Sequence, residues 1–341
     1  MIFTRIEDGP TVISRKAPWA NAAALEAVFR SGSASESVAE FGAAHLLEHI
    51  LVRADSETAR MRNDWFDRLA ADIRAFTFKE HVYLSALVPA TAAAGALDSL
   101  LSAVDEARVT DEVFELERAA VDAELSALEG EDVAQSHLGA TRPGGLRQSP
   151  QSPSCRVFEE LFDSRSGIAT VAIGRGAPHA SDSLSTAVRL IDCMLTGGLG
   201  ALLIRRLRID EAMAYSLDSS YIAHSTAGSL VAYARTPMDL VEKVTGVIEE
   251  TLDGIAHGDF MQEDLDRAKY YLNAGALRSR DDHRRVARSM SLGEIVSAPS
   301  SLSDEALSTL QATTFENVVD AAQRLLGSKR AIARAIPVSP R

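Results

Sequence analysis

The chain has 341 residues, of which 46% are hydrophobic and 24% are charged. This length suits two domains of ordinary size, and this composition excludes a chain that is disordered throughout. The net charge of −13 at pH 7 disfavours binding to the phosphate backbone of nucleic acids, and it makes basic peptides easier partners.

The two cysteines, Cys155 and Cys193, lie far apart and form no C-x-x-C pair. Two cysteines are too few for a disulfide framework, so a reducing compartment is expected. Cys193 lies in an apolar helical segment, where a buried and unreactive thiol is expected. The N-terminus lacks the basic start and apolar stretch of a signal peptide, and no later apolar run has membrane-spanning length. These features predict a cytoplasmic protein that does not associate with membranes.

The first 129 residues are predicted to contain five strands and four helices, from their hydrophobic periodicity and turn residues. The predicted strands are residues 2–6, 11–14, 22–29, 72–76 and 82–88. The predicted helices are residues 41–51, 57–70 and 91–106, and a fourth that begins at Asp111. This order of strands, helix, strands and helices is typical of an α+β layer rather than of regular βαβ alternation.

The predicted helix at residues 41–51 contains the sequence His45-Leu46-Leu47-Glu48-His49. Because His45 and His49 are four residues apart, both imidazoles project from one face of a helix and can bind one metal ion. Glu48 lies beside them, where its carboxylate can polarise a water molecule. This H-x-x-E-H order is the inverse of the commoner H-E-x-x-H motif of zinc peptidases. An ordinary amphipathic helix can carry the same residues by chance, so the motif alone leaves both interpretations open.

A catalytic zinc site needs a third protein ligand and an open position for water or substrate. The helix that begins at Asp111 offers four glutamates, which are Glu115, Glu117, Glu124 and Glu129. Glu117 and Glu124 are two helical turns apart and share one face. The apolar neighbours of Glu124 predict that its face is partly turned inward, where a carboxylate is costly unless it is paired or metal-bound. The alternative is a solvated acidic stripe, which is the usual position of glutamates on a helix.

Glycine, proline, serine and glutamine dominate residues 130–155, which predicts a linker or mobile loop. Residues 156–341 then repeat the element order of the first part. The predicted strands are residues 157–162, 168–174, 214–222, 229–234 and 330–336. The predicted helices are residues 183–195, 199–207, 238–255, 262–277 and 315–326. The predicted fold class is therefore α+β, with related domains at residues 1–129 and 156–341, each a mostly antiparallel sheet covered by helices.

Two weaker motifs favour structural interpretations. Asp281-Asp282-His283 resembles a metal cluster, but the arginines around it favour a charge-laced helix. Gly197-Gly198-Leu199-Gly200 lacks the lysine and hydroxyl residue of a phosphate loop, which favours a turn before a helix.

The histidine motif at residues 45–49, followed about 75 residues later by the segment 117–124, resembles the zinc site of the insulinase, pitrilysin and mitochondrial processing peptidase family. Further segments are similar to the opening strands, the edge strand and the second homologous domain of that family. These segments are residues 8–12, 30–33, 75–77, 197–200 and 214–216. The resemblance therefore covers nearly the whole chain, in the form of a short bacterial-type member.

The resemblance implies that zinc is bound by His45, His49 and Glu124. It implies that Glu48 is the general base and that Glu117 is an acidic neighbour that supports the ligands. The chemistry implied is peptide hydrolysis, in which zinc polarises the scissile carbonyl and Glu48 moves a proton from water to the leaving amine.

The resemblance also implies that a peptide substrate lies along the edge strand at Ala75-Phe76-Thr77 as an added strand, and that Tyr215 helps to hold its carbonyl. Two positions depart from the family pattern. Arg74 stands where the edge strand usually has an asparagine, and Glu211 stands where an arginine usually precedes the tyrosine by four residues. Arg208 is close enough in sequence to replace that arginine.

The segment after Glu129 replaces the last elements of the family's first domain, so the first half is shortened. Because some bacterial relatives pair a zinc-bearing subunit with one bearing the arginine and tyrosine, we expect a homodimer or a heterodimer with a related subunit. Two functions follow. The intact motif and Glu124 favour a zinc-dependent endopeptidase acting on small or unfolded peptides. Arg74, Glu211 and the shortened half favour a non-catalytic or weakly active subunit that binds a peptide or completes a partner's chamber.

Overall fold

The computed structural model describes residues 2–5, 10–53, 57–107, 109–128, 156–163 and 167–338. The chain divides into two compact units. Unit 1 consists of Met1–Ala127 and Leu277–Ser303, and unit 2 consists of Leu128–Ala276 and Asp304–Arg341. The predicted linker at residues 130–155 lies outside the described residues, and the predicted domain limits stay a prediction.

Unit 1 contains five strands, and all five predicted strands are confirmed. They are β1 (Ile2–Arg5), β2 (Thr11–Ser14), β3 (Ala22–Phe29), β4 (Asp72–Thr77) and β5 (Val82–Pro89). Strands β1 and β2 pair with each other, and the other three form an antiparallel sheet in the order β3-β5-β4. Among the described residues, β4 is therefore an edge strand, as the sequence predicts.

Four helices of unit 1 lie in the first half of the chain, as predicted. They are α1 (Ala43–Val52), α2 (Glu57–Arg68), α3 (Ala93–Glu106) and α4 (Asp111–Leu128). The buried face of α1 carries Ala44 and Leu51, which pack with Phe66 of α2 and with Leu84 of β5 in one apolar core. This packing fixes the histidine helix against the three-stranded sheet.

Unit 2 is built on a five-stranded sheet. Its strands are β6 (Arg156–Asp163), β7 (Ile168–Ala177), β8 (Ser216–Ala223), β9 (Gly228–Pro237) and β10 (Arg330–Val338). The strand order is β6-β10-β7-β9-β8, and every pair is antiparallel except β6 with β10. The predicted α+β class, with antiparallel sheets covered by helices, is confirmed.

Five helices follow in unit 2 and in the segment of the chain that returns to unit 1. They are α5 (Ser185–Thr196), α6 (Val241–His257), α7 (Gln262–Ser279), α8 (His283–Ile295) and α9 (Asp304–Ala312). A last helix, α10 (Phe315–Leu326), precedes β10. The predicted helix at residues 199–207 is shifted toward the C-terminus, because Gly198 turns the chain with φ +93° and a π-helix then spans Ile204–Asp210.

Helix α8 belongs to unit 1, although it comes late in the chain. Asp282 caps its N-terminus by accepting hydrogen bonds from two backbone amides, so the helical interpretation of this arginine-rich segment is confirmed. The guanidinium of Arg288 lies 3.5 Å from the ring centroid of Tyr83 and 3.4 Å from Glu26, and Ser291 also bonds to Glu26. Burial raises the pKa of the Glu26 carboxyl. The packing of this helix with unit 1 was not predicted from the sequence.

In the part of the chain that the structure describes, no helix combines the length and the apolar composition needed to cross a membrane.

Candidate metal centre

The N-terminus of α1 is held by the side chain of Glu36. Its two carboxylate oxygens accept hydrogen bonds from the backbone amides of Gly42, at 2.9 Å, and Ala44, at 2.7 Å. A carboxylate at this end satisfies amides that have no partner within the helix and complements the helix dipole. Gly42 has φ +89°, in the left-handed region that favours glycine. These contacts determine where the histidines that follow are placed.

His45, His49 and Glu124 come together in unit 1. Nε2 of His45 lies 3.5 Å from Oε2 of Glu124, and Nε2 of His49 lies 3.6 Å from the same oxygen. The ligand atoms of the three side chains all lie within 4.8 Å of one another. Both distances are longer than a good hydrogen bond, which measures about 2.7–3.2 Å.

These distances fit a shared metal ion. In a tetrahedral zinc site with bonds of about 2.0–2.2 Å, neighbouring ligand atoms are about 3.4 Å apart. Two imidazoles and one carboxylate are also a donor set that zinc accepts in catalytic sites. The three residues therefore fit a zinc ion in both geometry and chemistry.

The face of α4 that carries Glu124 is partly turned inward, as predicted, because Val113 is buried and Val121 is half-buried on it. The side chain of Glu124 is 51% exposed, and its neighbours Asp122 and Ala123 are exposed as well. Among the side chains of α4 that the structure describes, only Val113 is buried. Glu124 itself lies at an exposed position of this face, from which its carboxylate reaches the histidines.

Glu117 contacts the back of the histidine pair. Its Oε2 lies 3.0 Å from Nδ1 of His49, and its Oε1 accepts a hydrogen bond from Arg53. The side chain of Glu117 is only 12% exposed. A carboxylate on Nδ1 fixes the ring orientation of a metal-binding histidine and leaves Nε2 for the metal.

Arg53 was not predicted as part of this site. It lies four residues after His49, directly beyond the last residue of α1. Helical periodicity gave no signal for this contact, because Arg53 has extended backbone and bonds to a residue 64 positions away.

Glu48 makes a hydrogen bond to the edge strand. The hydroxyl of Thr77 donates to Oε2 of Glu48 at 2.7 Å, and the same oxygen of Thr77 lies 3.2 Å from the carbonyl oxygen of Ala44. The structure thus brings Thr77 to the predicted general base.

The other predicted residues of the edge strand have separate surroundings. Arg74 is exposed and donates two hydrogen bonds to Asp72, which lower the pKa of that carboxyl. Ala75 is half-buried, whereas Phe76 is exposed and its ring lies tilted beside that of Tyr83, with centroids 5.3 Å apart. No described contact of Arg74 reaches the histidine group.

Tyr215 and Arg208 lie in unit 2, where Tyr215 is 82% exposed. The guanidinium carbon of Arg208 lies 5.0 Å from the centroid of the Tyr215 ring, which is within cation–π distance. Glu211 pairs with Lys243 at 2.8 Å. The structure thus places Arg208 beside the tyrosine, and the role of both residues toward a substrate stays a prediction.

Cys193 is buried in α5, as predicted. Burial raises the pKa of its thiol to about 12. Such a thiol is protonated at neutral pH and is a poor nucleophile.

Two family profiles match the chain. The profile described as insulinase, peptidase family M16, matches residues 11–146, and the profile of the peptidase M16 inactive domain matches residues 110–272. Together they extend over the candidate metal centre and most of unit 2.

Curated relatives match over almost the full length of the chain. The uncharacterized zinc protease YmxG of Bacillus subtilis is 20% identical over 396 aligned positions, with 97% of each chain covered. The uncharacterized zinc protease ML0855 of Mycobacterium leprae is 22% identical, with 96% of this chain and 89% of that protein covered.

Solved structures share the fold. A protease from Helicobacter pylori has a TM-score of 0.84 at 14% identity, with 98% of this chain and 99% of that chain covered. A peptidase M16 inactive domain from Pseudomonas fluorescens has a TM-score of 0.83 at 16% identity, with 99% of both chains covered. A chain of Complex III2 from Candida albicans has a TM-score of 0.77 at 13% identity, with 98% and 95% covered.

Proposed function

Because the chain belongs to the insulinase family of peptidases, M16, we propose that it is a zinc-dependent endopeptidase that hydrolyses small or unfolded peptides. The observation that carries this proposal is the convergence of His45, His49 and Glu124. Both separations from the shared carboxylate oxygen, 3.5 and 3.6 Å, match those between neighbouring ligand atoms of a tetrahedral zinc ion. Two relatives named zinc proteases support the choice of metal.

Each residue of the centre has a distinct role in this proposal. His45, His49 and Glu124 hold the metal, and Glu117 keeps the ring of His49 in its orientation. A bound zinc ion supplies a Lewis acid that polarises the scissile carbonyl. Glu48 takes a proton from the attacking water and delivers it to the nitrogen of the leaving amine.

We propose that the substrate binds as an extended strand along β4, whose outer edge is unpaired among the described residues. Backbone groups of residues 74–77 would pair with the peptide. Tyr215 and Arg208 would hold the substrate carbonyl, and the stacking of Arg208 on Tyr215 supports a shared role. The net charge of −13 favours basic peptides over acidic ones.

We also propose that two subunits cooperate, either as a homodimer or as a heterodimer with a related chain. Glu211 cannot donate hydrogen bonds in place of an arginine, and it is already paired with Lys243. In this proposal the two halves are related domains, of which the first is shortened. A partner subunit supplies the arginine that the second half lacks at position 211. Zinc-loaded protein that is monomeric at assay concentration and cleaves peptides at a normal rate would contradict this proposal.

The alternative is a non-catalytic or weakly active subunit that keeps the peptidase fold and binds a peptide or a partner. The match of residues 110–272 to the M16 inactive domain favours it. The hydrogen bond from Arg74 to Asp72 also favours the non-catalytic alternative, because the Arg74 guanidinium is already bound within its own strand.

Metal content measured together with peptide cleavage separates the two functions. The endopeptidase binds about one zinc ion per chain, and Glu124→Ala removes a ligand and releases it. Glu48→Gln keeps the metal and abolishes turnover, because an amide cannot accept the water proton. Glu115→Ala, an exposed glutamate of α4 that pairs with Arg118, is the matched control and keeps both properties. Metal-free protein that still binds peptide or partner supports the alternative.

A further inference from the structure

Side chains of the edge strand β4 alternate between two faces, as in any strand. The rings of Phe76, within the strand, and Phe78, just after it, lie beside Tyr83, with centroids 5.3 and 5.8 Å away. Both phenylalanines are more than two-fifths exposed. Thr77 lies between them and therefore points to the opposite face, toward α1.

On that face the Thr77 hydroxyl meets Glu48. The distance of 2.7 Å between Oγ1 of Thr77 and Oε2 of Glu48 is that of a charge-assisted hydrogen bond. A hydroxyl has one proton to donate, and the carbonyl of Ala44 lies farther away, at 3.2 Å. Among the described residues, Glu48 accepts a hydrogen bond from Thr77 alone.

We infer that Thr77 is a positioning residue that holds the carboxylate of Glu48 in its reactive place. This inference rests on the proposed function, in which Glu48 is the general base. A glutamate side chain rotates about three bonds, and a base must be held within a fraction of an ångström of its working position. The hydrogen bond from Thr77 to one carboxylate oxygen restricts that rotation and leaves the other oxygen to accept the proton.

This role differs from a contact with the substrate. The backbone of Thr77 belongs to the strand along which the peptide is proposed to lie, and its side chain faces away from the phenylalanine face of that strand. One residue thus links the position of the peptide to the position of the base. Loss of the hydroxyl should therefore affect the chemical step and spare binding.

The test compares Thr77→Val, which keeps the shape and removes the donor, with Thr77→Ser, which keeps the donor. For the zinc-loaded protein we expect Thr77→Val to lower kcat by about 10–100-fold, because a misplaced base loses much of its effect. KM stays within about twofold, zinc content is unchanged, and Thr77→Ser recovers most of the rate. Thr245→Val is the matched control, since its buried hydroxyl bonds only to a carbonyl within α6, and it leaves kcat unchanged.

An unchanged kcat in Thr77→Val would overturn the inference. A rise in KM with kcat unchanged would also overturn it, because Thr77 would then be a substrate contact.

A second measurement needs neither metal nor activity. In metal-free protein we expect Thr77→Val and Glu48→Ala to be non-additive, with a double-variant Tm shift smaller than the sum of the single shifts by about 2 °C. Additive shifts would show that the hydrogen bond is absent and would overturn the inference. Turnover that persists in Glu48→Gln would instead refute the proposed role of Glu48 as the base. Non-additive Tm shifts in the same experiment would still show that the hydrogen bond between Thr77 and Glu48 exists.

Discussion

The two units have apolar cores of different size and composition. Unit 2 has a core of large apolar side chains, of which Leu190, Ile191 and Ile248 are fully buried. The core of unit 1 is rich in alanine, including Ala27, Ala86, Ala96 and Ala103, and contains few large side chains. The candidate metal centre lies in unit 1. The unit that carries the candidate metal centre thus has the smaller apolar core among the described residues.

Helices α6 and α4 differ in how many apolar side chains they bury. Helix α6 buries a continuous apolar face, including Val244, Ile248 and Ile255, and each such side chain contributes about 1.5–3 kcal/mol. Helix α4, in its described side chains, buries only Val113. Its described contacts with α1 run through Glu117 and Glu124 to the histidines and Arg53. The metal ligands thus also help to hold α4 in place.

The largest expected effect is the loss of stability caused by a substitution in the buried face of α6. Ile248→Ala in α6 should lower the free energy of unfolding by about 2–5 kcal/mol, because it leaves a cavity in a closed core. Leu116→Ala on α4 should change it by less than about 0.5 kcal/mol, because that side chain is half exposed. Denaturant titration of both variants measures the contrast. Equal losses would mean that α4 is held by apolar packing after all.

The second effect concerns metal removal. If the acidic residues of α4 hold it to α1 through the metal, chelation should speed amide hydrogen exchange in α4 by about 10–100-fold, since local opening becomes easier. Exchange in α6 should stay unchanged, because apolar burial does not depend on metal. Hydrogen exchange with mass spectrometry, with and without chelator, measures both helices in one sample. Equal protection of α4 in the two states would contradict this account.

A smaller effect is expected from Arg53. Arg53→Gln should weaken metal binding by about 10-fold, or about 1.4 kcal/mol, because Glu117 loses the partner that orients it toward His49. The measurement is competition with a calibrated chelator. Arg118→Gln is the matched control, since Arg118 lies on α4 and pairs with the exposed Glu115. If the affinity of Arg53→Gln equals that of the wild type, Glu117 is oriented without Arg53.

The smallest effect near neutral pH is expected on the rate at which the thiol of Cys193 reacts with a labelling reagent. Since burial raises the pKa of its thiol from 9.0 to about 12, the folded protein should resist thiol labelling at pH 8, measured in a Cys155→Ser background. Between about pH 9 and 12 the thiol ionises in the unfolded chain but stays protonated in the folded protein. The free energy of unfolding should therefore fall as the pH rises through this range, and it should not depend on this thiol below pH 9. Rapid labelling without unfolding would show that the core of unit 2 opens locally.

The sequence predicted local structure well, because strands and helices follow hydrophobic periodicity. The spacing of His45 and His49 within α1 needed only a helix to become a candidate metal site. The side-chain contacts were harder, since they join residues far apart in the chain. Thr77 bonds to Glu48 across 29 positions, and Arg53 bonds to Glu117 across 64. Periodicity carries no information on such pairs.

The exposure of the Glu124 side chain itself could not be predicted, for the same reason. Apolar neighbours report that a helix face is suited to burial, but they do not report whether another element covers it. In the structure, α4 reaches the histidines with its acidic residues, and much of its surface stays exposed. The metal centre was therefore found from its donor set and not from burial.

The late position of α8 in the chain has a consequence for biosynthesis. Domains usually fold during translation, N-terminal part first, at about 5–20 residues per second. Unit 1, however, is complete only when the segment Leu277–Ser303 has been made, and this segment begins about 150 residues after Ala127. Arg288 follows Glu26 by 262 positions. For about 13–50 s at these rates, the nascent chain therefore holds Glu26 without Arg288 and Ser291, the partners it has in the finished protein. The metal-binding unit thus finishes folding late in synthesis, and a fragment that stops before residue 277 reproduces only the intermediate.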